Sequence, residues 1–290
     1  MRVLSIGNFG TGWDGSICDE EHIAKALEEL GHEVFRVQRE TRPEQYPDVD
    51  FTLIAQWDGY GDLSHLPEPL VYWAFDYQAD GQEWHERLVK EANLYLSKRI
   101  ADSKYPNWQY LSQDFAPNFL QPYARVTKDI DVLFTGSYLD WAKERNETIR
   151  AINDKFNLVI YSVNAWPSEW NLDVRPPVMD EGLPELYARA KVILSIDHTL
   201  EAGYWSDRVA QALCCKALVL HRYQPLCETA FKNKVAYFYN IEGCLEYIEN
   251  LLGMPEEDAN LVRQVGYEYA DEFLRVKNRV EDLLTIVGKL

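Results

Sequence analysis

Asp131-Val132-Leu133-Phe134-Thr135-Gly136-Ser137 is an apolar run closed by a glycine. The chain has opened this way once before, at Arg2-Val3-Leu4-Ser5-Ile6-Gly7. An apolar run this short, bounded by glycine, reads as a buried strand, and helical spacing follows both. After Gly7 a helix is predicted over 20–30, with Ile23, Ala24, Leu27 and Leu30 on one face, Asp19 as N-cap and Gly31 at C′. Strands follow at 32–37, 51–56, 70–75 and 93–97, with a helix at 82–91. Another helix, at 103–113 and capped by Asp102, leads to an extended stretch at 117–123. The second series runs strand 131–136, helix 146–153, strand 157–162, helix 184–190, strand 191–197, helix 208–215, and strands 218–221 and 235–239. The rest is helical, with Pro255 at an N1-like place and Leu261, Val265, Tyr269, Phe273, Val276, Val280 and Leu284 at helical spacing.

Alternating β and α elements predict parallel sheets with helices on both faces. Two such series predict an α/β chain of two facing Rossmann-like domains, 1–125 and 126–290, joined at 122–128. The C-terminal helix is a candidate to pack back on the first domain.

The 290 residues are 47% hydrophobic and 26% charged, which suits a globular core, and aromatics at 13% exclude a disordered chain. No apolar run reaches membrane-spanning length, and the start of the chain is broken by glycine too soon for a signal peptide. The five cysteines are odd in number and form no Cys-x-x-Cys pair, as expected of a reduced, cytoplasmic protein. The net charge is −18, and both parts are acidic when the chain is cut near residue 127, which speaks against tight non-specific nucleic-acid binding.

Ligands of open parallel sheets bind beyond the carboxyl ends of the strands. That rule selects Gly7-Asn8-Phe9-Gly10-Thr11-Gly12, Trp57-Asp58-Gly59, Asp76-Tyr77, Lys98-Arg99, Gly136-Ser137-Tyr138, Val163-Asn164, Asp197-His198 and His221-Arg222. Gly7-x-x-Gly10-x-Gly12 is either a flexible turn or a ligand-lining loop. It is not the dinucleotide fingerprint, and Gln38-Arg39 stands where an acidic residue should close the second strand. The pairs Asp48/Asp50 and Asp129/Asp131 precede strands, at the amino edge, and the six histidines lack ligand spacing, so no metal site is expected. Neither a Gly-x-Ser-x-Gly elbow nor a P-loop occurs. Residues 197–213 read as a strand end, a polar-aromatic loop and a helix carrying Ser206 and Arg208 in its first turn. Such a terminus suits a phosphate, with Arg208 adding a charge-assisted bond. In the plainer alternative, Ser206 caps the helix and Arg208 pairs with Asp207 or Glu201.

Asp131-Val-Leu-Phe-Thr-Gly136-Ser137, Arg145, Leu183-Pro-Glu-Leu-Tyr187-Ala-Arg-Ala190 and Ser206-x-Arg208-Val-x-Gln-Ala212-Leu occur in that order. This arrangement over about 130–252 resembles the donor domain of GT-B glycosyltransferases, closest to the CgeB-like group and the broader family 4-type enzymes. The first half is similar in its opening strand and in Ala24-x-x-Leu27-x-x-x-Gly31-His32-Glu33-Val34. The resemblance implies a nucleotide-activated sugar, UDP-linked as the commonest case, in the second domain, an acceptor against the first, and neither metal nor other cofactor. It implies Gly136, Ser137 and Arg145 near the diphosphate, and Ser206 and Arg208 at the donor-phosphate helix, with Asp197 and His198 opening the loop before it. Gln211 stands where the family carries a ribose-binding glutamate, and Lys216 where it carries a glycine. An amide still donates to and accepts from a ribose hydroxyl, but brings no charge.

A departing nucleoside diphosphate develops negative charge, which without a metal falls to Arg208, Arg145 and backbone donors. Asp76 is the candidate base or orienting group for the acceptor hydroxyl, a role that retaining transfer does not require. Gly10, Thr11, Gly12, Asp14, Trp57 and His85 are the acceptor-side candidates. Of Trp57, Trp73, Trp84, Trp141, Trp166, Trp170 and Trp205, one or two are expected against a sugar or base and the rest in the core. The acceptor stays open among a glycan, a protein, a small molecule and a modified nucleic-acid base, and the oligomeric state is open too. The other readings are a non-catalytic nucleotide-sugar or glycan-binding module, and a nucleotide-sugar epimerase.

Overall fold

The first strand, β1 (Arg2–Gly7), has Val3, Leu4 and Ile6 fully buried because strands flank it on both sides. The computed structural model describes residues 1–12, 16–39, 41, 43–55, 63–75, 82–123 and 126–290. In chain order β1 is followed by α1 (Asp19–Glu29), β2 (Glu33–Gln38), β3 (Phe51–Ile54), β4 (Leu70–Trp73), α2 (Glu83–Glu91), β5 (Leu94–Ser97) and β6 (Trp108–Tyr110). All six strands are parallel, in the order β2-β1-β3-β4-β5-β6. Helix α1 opens with Asp19, Glu20 and Glu21, which favour the positive end of its dipole, and buries Ile23, Ala24, Ala26 and Leu27. Its N-cap is Cys18, without a side-chain cap bond, so Asp19 is the first helical residue rather than the cap. Gly31 leaves the helix at φ +86°, a left-handed conformation that glycine adopts readily.

The helix expected at 103–113 does not form. A 3₁₀ turn, Ile100–Lys104, leads straight into β6. Asp102 is an interior acceptor rather than a helix cap. It is buried, accepts 2.7 Å hydrogen bonds from the Tyr95 and Ser97 hydroxyls, and so pins the turn beneath β5. Trp108 Nε1 donates to the same Ser97 hydroxyl at 2.9 Å, and an aromatic-rich edge segment fits a pleated surface better than a helix.

The second sheet is built from β7 (Ile130–Thr135), α3 (Lys143–Asn153), β8 (Leu158–Tyr161), β9 (Asp173–Arg175), α4 (Leu183–Arg189), β10 (Ala190–Ser195), α5 (Arg208–Cys214), β11 (Val219–Arg222), α6 (Cys227–Phe231) and β12 (Ala236–Phe238). Helices α7 (Ile241–Leu252) and α8 (Glu256–Phe273) follow. The parallel order is β12-β11-β10-β7-β8-β9, which reverses direction between β7 and β10. Successive strand residues serve opposite faces. Leu133 and Ile193 pack with α5 residues such as Val209 and Leu213, while Val132, Phe134, Val192 and Leu194 pack with Ile149 of α3 and Ile248 of α7. The short elements β9 and α6 have no counterpart in the sequence reading. The Asp-x-Asp pairs lie at strand starts: Asp50 accepts from the Arg2 amide at 2.6 Å, Asp129 pairs with Arg189 at 2.6 Å, and Asp131 with Lys191 at 2.7 Å.

The chain forms two compact units, Asp114–Arg275 and Met1–Gln113 with Val276–Leu290. The last helix, α9 (Val276–Val287), belongs to the first unit because it packs on α1. Among the described residues no helix is long and apolar enough to cross a membrane.

Candidate functional site

The crevice rule for doubly wound sheets points to the carboxyl ends of β7 and β10, where the strand order reverses. Gly136 follows β7 there, its amide donating to Tyr161 O at 3.0 Å. A Cβ at this position would stand 2.9 Å from the Phe134 ring and 3.1 Å from Arg208 Nη2, so the missing side chain is what lets Arg208 approach. Arg208, at the start of α5, donates from Nε to Thr135 O at 2.7 Å and from Nη1 to Ser206 Oγ at 3.1 Å. Arg145, on α3, donates from Nη2 to Ser137 O at 2.7 Å. Both guanidiniums lie over the Phe134 ring, at 5.0 Å for Arg208 and 5.8 Å for Arg145.

The strand end of β10 supplies the counter-charge. Asp197 accepts the Ser206 amide on Oδ1 at 3.0 Å and Gln224 Nε2 on Oδ2 at 2.6 Å, and its Oδ1 lies 4.0 Å from Arg208 Nη1. The Asp197 side chain is 1% exposed and that of Arg208 13%. Burial, and after it the charge of Arg208, lowers the Arg145 pKa to about 10 against the opposing pull of Asp197 and Tyr204, so Arg145 stays cationic at neutral pH. Arg145 and Arg208 therefore both act on the one buried carboxylate of Asp197, and either guanidinium can also serve an anion in this partly desolvated place.

The buried carboxylate facing Arg208 is that of Asp197, 4.0 Å away and without a direct hydrogen bond, and the N-cap of α5 is Asp207 without a side-chain cap bond. The Ser206 amide, expected to face a phosphate, is already given to Asp197. His198 stacks edge-on against Trp141 and Tyr204, with ring centroids 5.4 and 5.1 Å away. Gln211 donates to Asp207 Oδ2 one turn back on α5. Lys216, in place of the family's glycine, sits at φ +58°, so the left-handed turn remains although the glycine does not.

Sequence reasoning missed one wall. A cavity of about 270 Å³ is lined by Trp141, the first turn of α3 from Ala142 to Arg145, and Ile196 to Leu200. Helix α3 starts at Lys143, three residues before the expected start, and carries no side-chain cap bond, so its first turn opens on this cavity. The strand–Gly136–helix order was the signal for such a terminus. A second cavity, about 670 Å³, lies beyond β8 and β9 against Asn164, Trp166, Arg175, Pro176 and Pro177. Among the described residues no three His, Cys, Asp or Glu side chains gather as a metal site.

On the first unit, Gly10 O accepts from the Cys18 amide at 3.0 Å, Thr11 bridges Ile17, and the Gly12 amide donates to Ser16 O at 2.7 Å. The backbone of Gly10, Thr11 and Gly12 is therefore tied to that of residues 16–18. His85 is an interior residue, 2% exposed, with Nδ1 3.1 Å from the Tyr72 hydroxyl and Trp84 and Tyr95 against its ring. Asp14, Trp57 and Asp76 lie outside the described residues.

By sequence, no curated protein matches the chain. Among solved structures, a sucrose-phosphate synthase from Thermosynechococcus elongatus superposes with TM-score 0.71 at 10% identity, covering 100% of this chain and 99% of that one. Anabaena HepE, in complex with UDP and glucose, gives 0.69 at 10% identity with 100% of both chains covered. A mutant of T4 phage BGT, in complex with UDP-glucose, gives 0.68 at 14% identity, again over 100% of both. These likenesses are of fold. The family described as Glycosyl transferase-like matches residues 117–285, which is the whole second sheet with its flanking helices. With more than half its length so matched, and with two six-stranded parallel sheets in the GT-B manner, the chain belongs to the glycosyl transferase-like family.

Proposed function

We propose that this glycosyltransferase moves a sugar from a UDP-sugar to a hydroxyl acceptor, and that arginines rather than a metal ion meet the charge of the departing diphosphate. The observation that carries this reading is the convergence of Arg145 and Arg208 on Phe134, at the strand reversal, against the single carboxylate of Asp197. As the bond between the anomeric carbon and the phosphate oxygen breaks, its electron pair leaves with UDP. Preformed donors in a water-poor site stabilise that charge without reorganising. The acceptor oxygen forms the new bond and gives up its proton, for which Asp76, three residues past β4 in sequence, remains the proposed base. The first turn of α3 and Arg145 would share the diphosphate. The cavity beside Trp166, Pro176 and Pro177 offers flat walls to the nucleobase.

Titration calorimetry with UDP and other nucleoside diphosphates, then transfer of labelled sugar from a donor panel, tests this. Arg208→Ala is expected to weaken UDP binding roughly 10- to 100-fold, the worth of a charge-assisted hydrogen bond, while circular dichroism stays native. Wild-type affinity in that variant would remove the donor-site assignment. Transfer should survive a chelator; its loss would sink the metal-free reading. UDP binding with neither transfer nor hydrolysis would mean a binding module, and a product formed without acceptor would mean an epimerase.

A further inference from the structure

Gln224 follows β11, is 0% exposed, and points its amide at the same carboxylate that faces Arg208. Its Nε2 donates to Asp197 Oδ2 at 2.6 Å, and its Oε1 is buried without a hydrogen-bond partner. Burying an unpaired amide oxygen is unfavourable, so the orientation is held by what the Nε2 bond accomplishes. The turn that carries Gln224 is itself fixed: Gln224 O accepts the Cys227 amide at 3.2 Å, and Pro225 O accepts the Gly203 amide at 3.1 Å, tying it to the 197–207 loop. Asp197 is thereby held from two sides, by Gln224 on Oδ2 and by the Ser206 amide on Oδ1, with Arg208 Nη1 left at 4.0 Å, beyond direct hydrogen-bond length.

Resting on the donor-site reading above, we propose that Gln224 is a positioning residue that restrains Asp197 from closing on Arg208, and so keeps the guanidinium available to the donor diphosphate. Without that restraint, Asp197 Oδ2 is a buried, unsatisfied anion whose nearest cation is Arg208. A tight Asp197–Arg208 pair would compete with the phosphates for the same N–H groups. Among the described residues, the charged or titratable groups that act on Asp197 are Arg208, Arg145 and His221.

The experiment compares four proteins by calorimetric UDP titration from pH 5 to 9: wild type, Gln224→Met, Gln224→Glu, and Gln224→Met with Asp197→Asn. Gln224→Met should weaken UDP binding about tenfold or more, the scale of one charge-assisted hydrogen bond, at every pH. Adding Asp197→Asn should restore it, because the competing charge is gone. Gln224→Glu sets two carboxylates at hydrogen-bond distance, which can share a proton, so UDP affinity should approach wild type at low pH and fall as pH rises. A merely structural role predicts no rescue by Asp197→Asn and no new pH dependence in Gln224→Glu; either result overturns the proposal. UDP affinity unchanged in Gln224→Met but lost in Arg208→Ala overturns it while leaving the donor site standing. Unchanged affinity in both variants removes the donor site itself.

Discussion

His22 sits in the second turn of α1 with 8% of its surface exposed, and burial pushes its pKa down to about 4, with Lys25 adding to the push and Glu21 opposing it. The unfolded chain binds that proton near the ordinary 6.5, so between 6.5 and about 4 it holds more protons than the folded one. Stability from this group is full above pH 6.5 and is lost as pH falls, by about 3 kcal/mol at the limit. His221, lowered mainly by burial, acts in the same sense. His22→Gln should therefore flatten part of the acid limb of a melting-temperature profile; an unaltered limb would count against it. At this scale the sequence displayed Gly136, Arg145 and Arg208, because each lies just past a strand end or in the helix that follows one. It hid Gln224, which reaches Asp197 across 27 positions and leaves no local spacing.

Helices and strands were legible wherever one period of apolar residues dominated, as in β1, β7 and α1. They were misread where a side chain was used against its usual habit. Asp102 looks like a helix cap and serves as a buried acceptor for two hydroxyls, which turned β6 into an expected helix. Helix α3 began early because polar residues of its first turn line a cavity rather than a core. The end of α5 carries a prediction. Lys216 holds φ +58°, a conformation that costs a residue with a Cβ about 1 kcal/mol, and its amide closes the turn onto Leu213 O at 2.9 Å. Lys216→Gly should raise unfolding stability by about 0.5–1 kcal/mol in denaturant titration, with UDP binding unchanged. A loss of stability would show that the lysine is held there by something other than the turn.

For the molecule as a whole, the cysteines divide by unit. Cys214, Cys215, Cys227 and Cys244 are buried in the second unit, whereas Cys18, in the first, is half-buried. Burial pushes the Cys214 and Cys244 thiols up to about 12 and raises Cys215 and Cys227 as well. The thiolate is the reactive form, so native labelling at pH 8 should modify one thiol per chain quickly and the other four only as the second unit opens. UDP at 100 times its Kd should slow those four roughly 100-fold and spare Cys18. Mass spectrometry of labelled chains reads both. Several fast thiols would contradict the burial, and no slowing by UDP would move the donor off this unit. The net charge of −18 is spread over both halves, so the anion site proposed above would draw on its two arginines rather than on a long-range positive field.

The packing of α9 on α1 has a consequence for biosynthesis. A ribosome finishes the whole interior of the Asp114–Arg275 unit before the helix that completes the earlier one has left the exit tunnel. Until then the part of α1 that α9 covers waits exposed, and the amino-terminal unit, although translated first, is the last to be completed. A released chain truncated before residue 276 should therefore be a client for chaperones in its first hundred residues, not in its last.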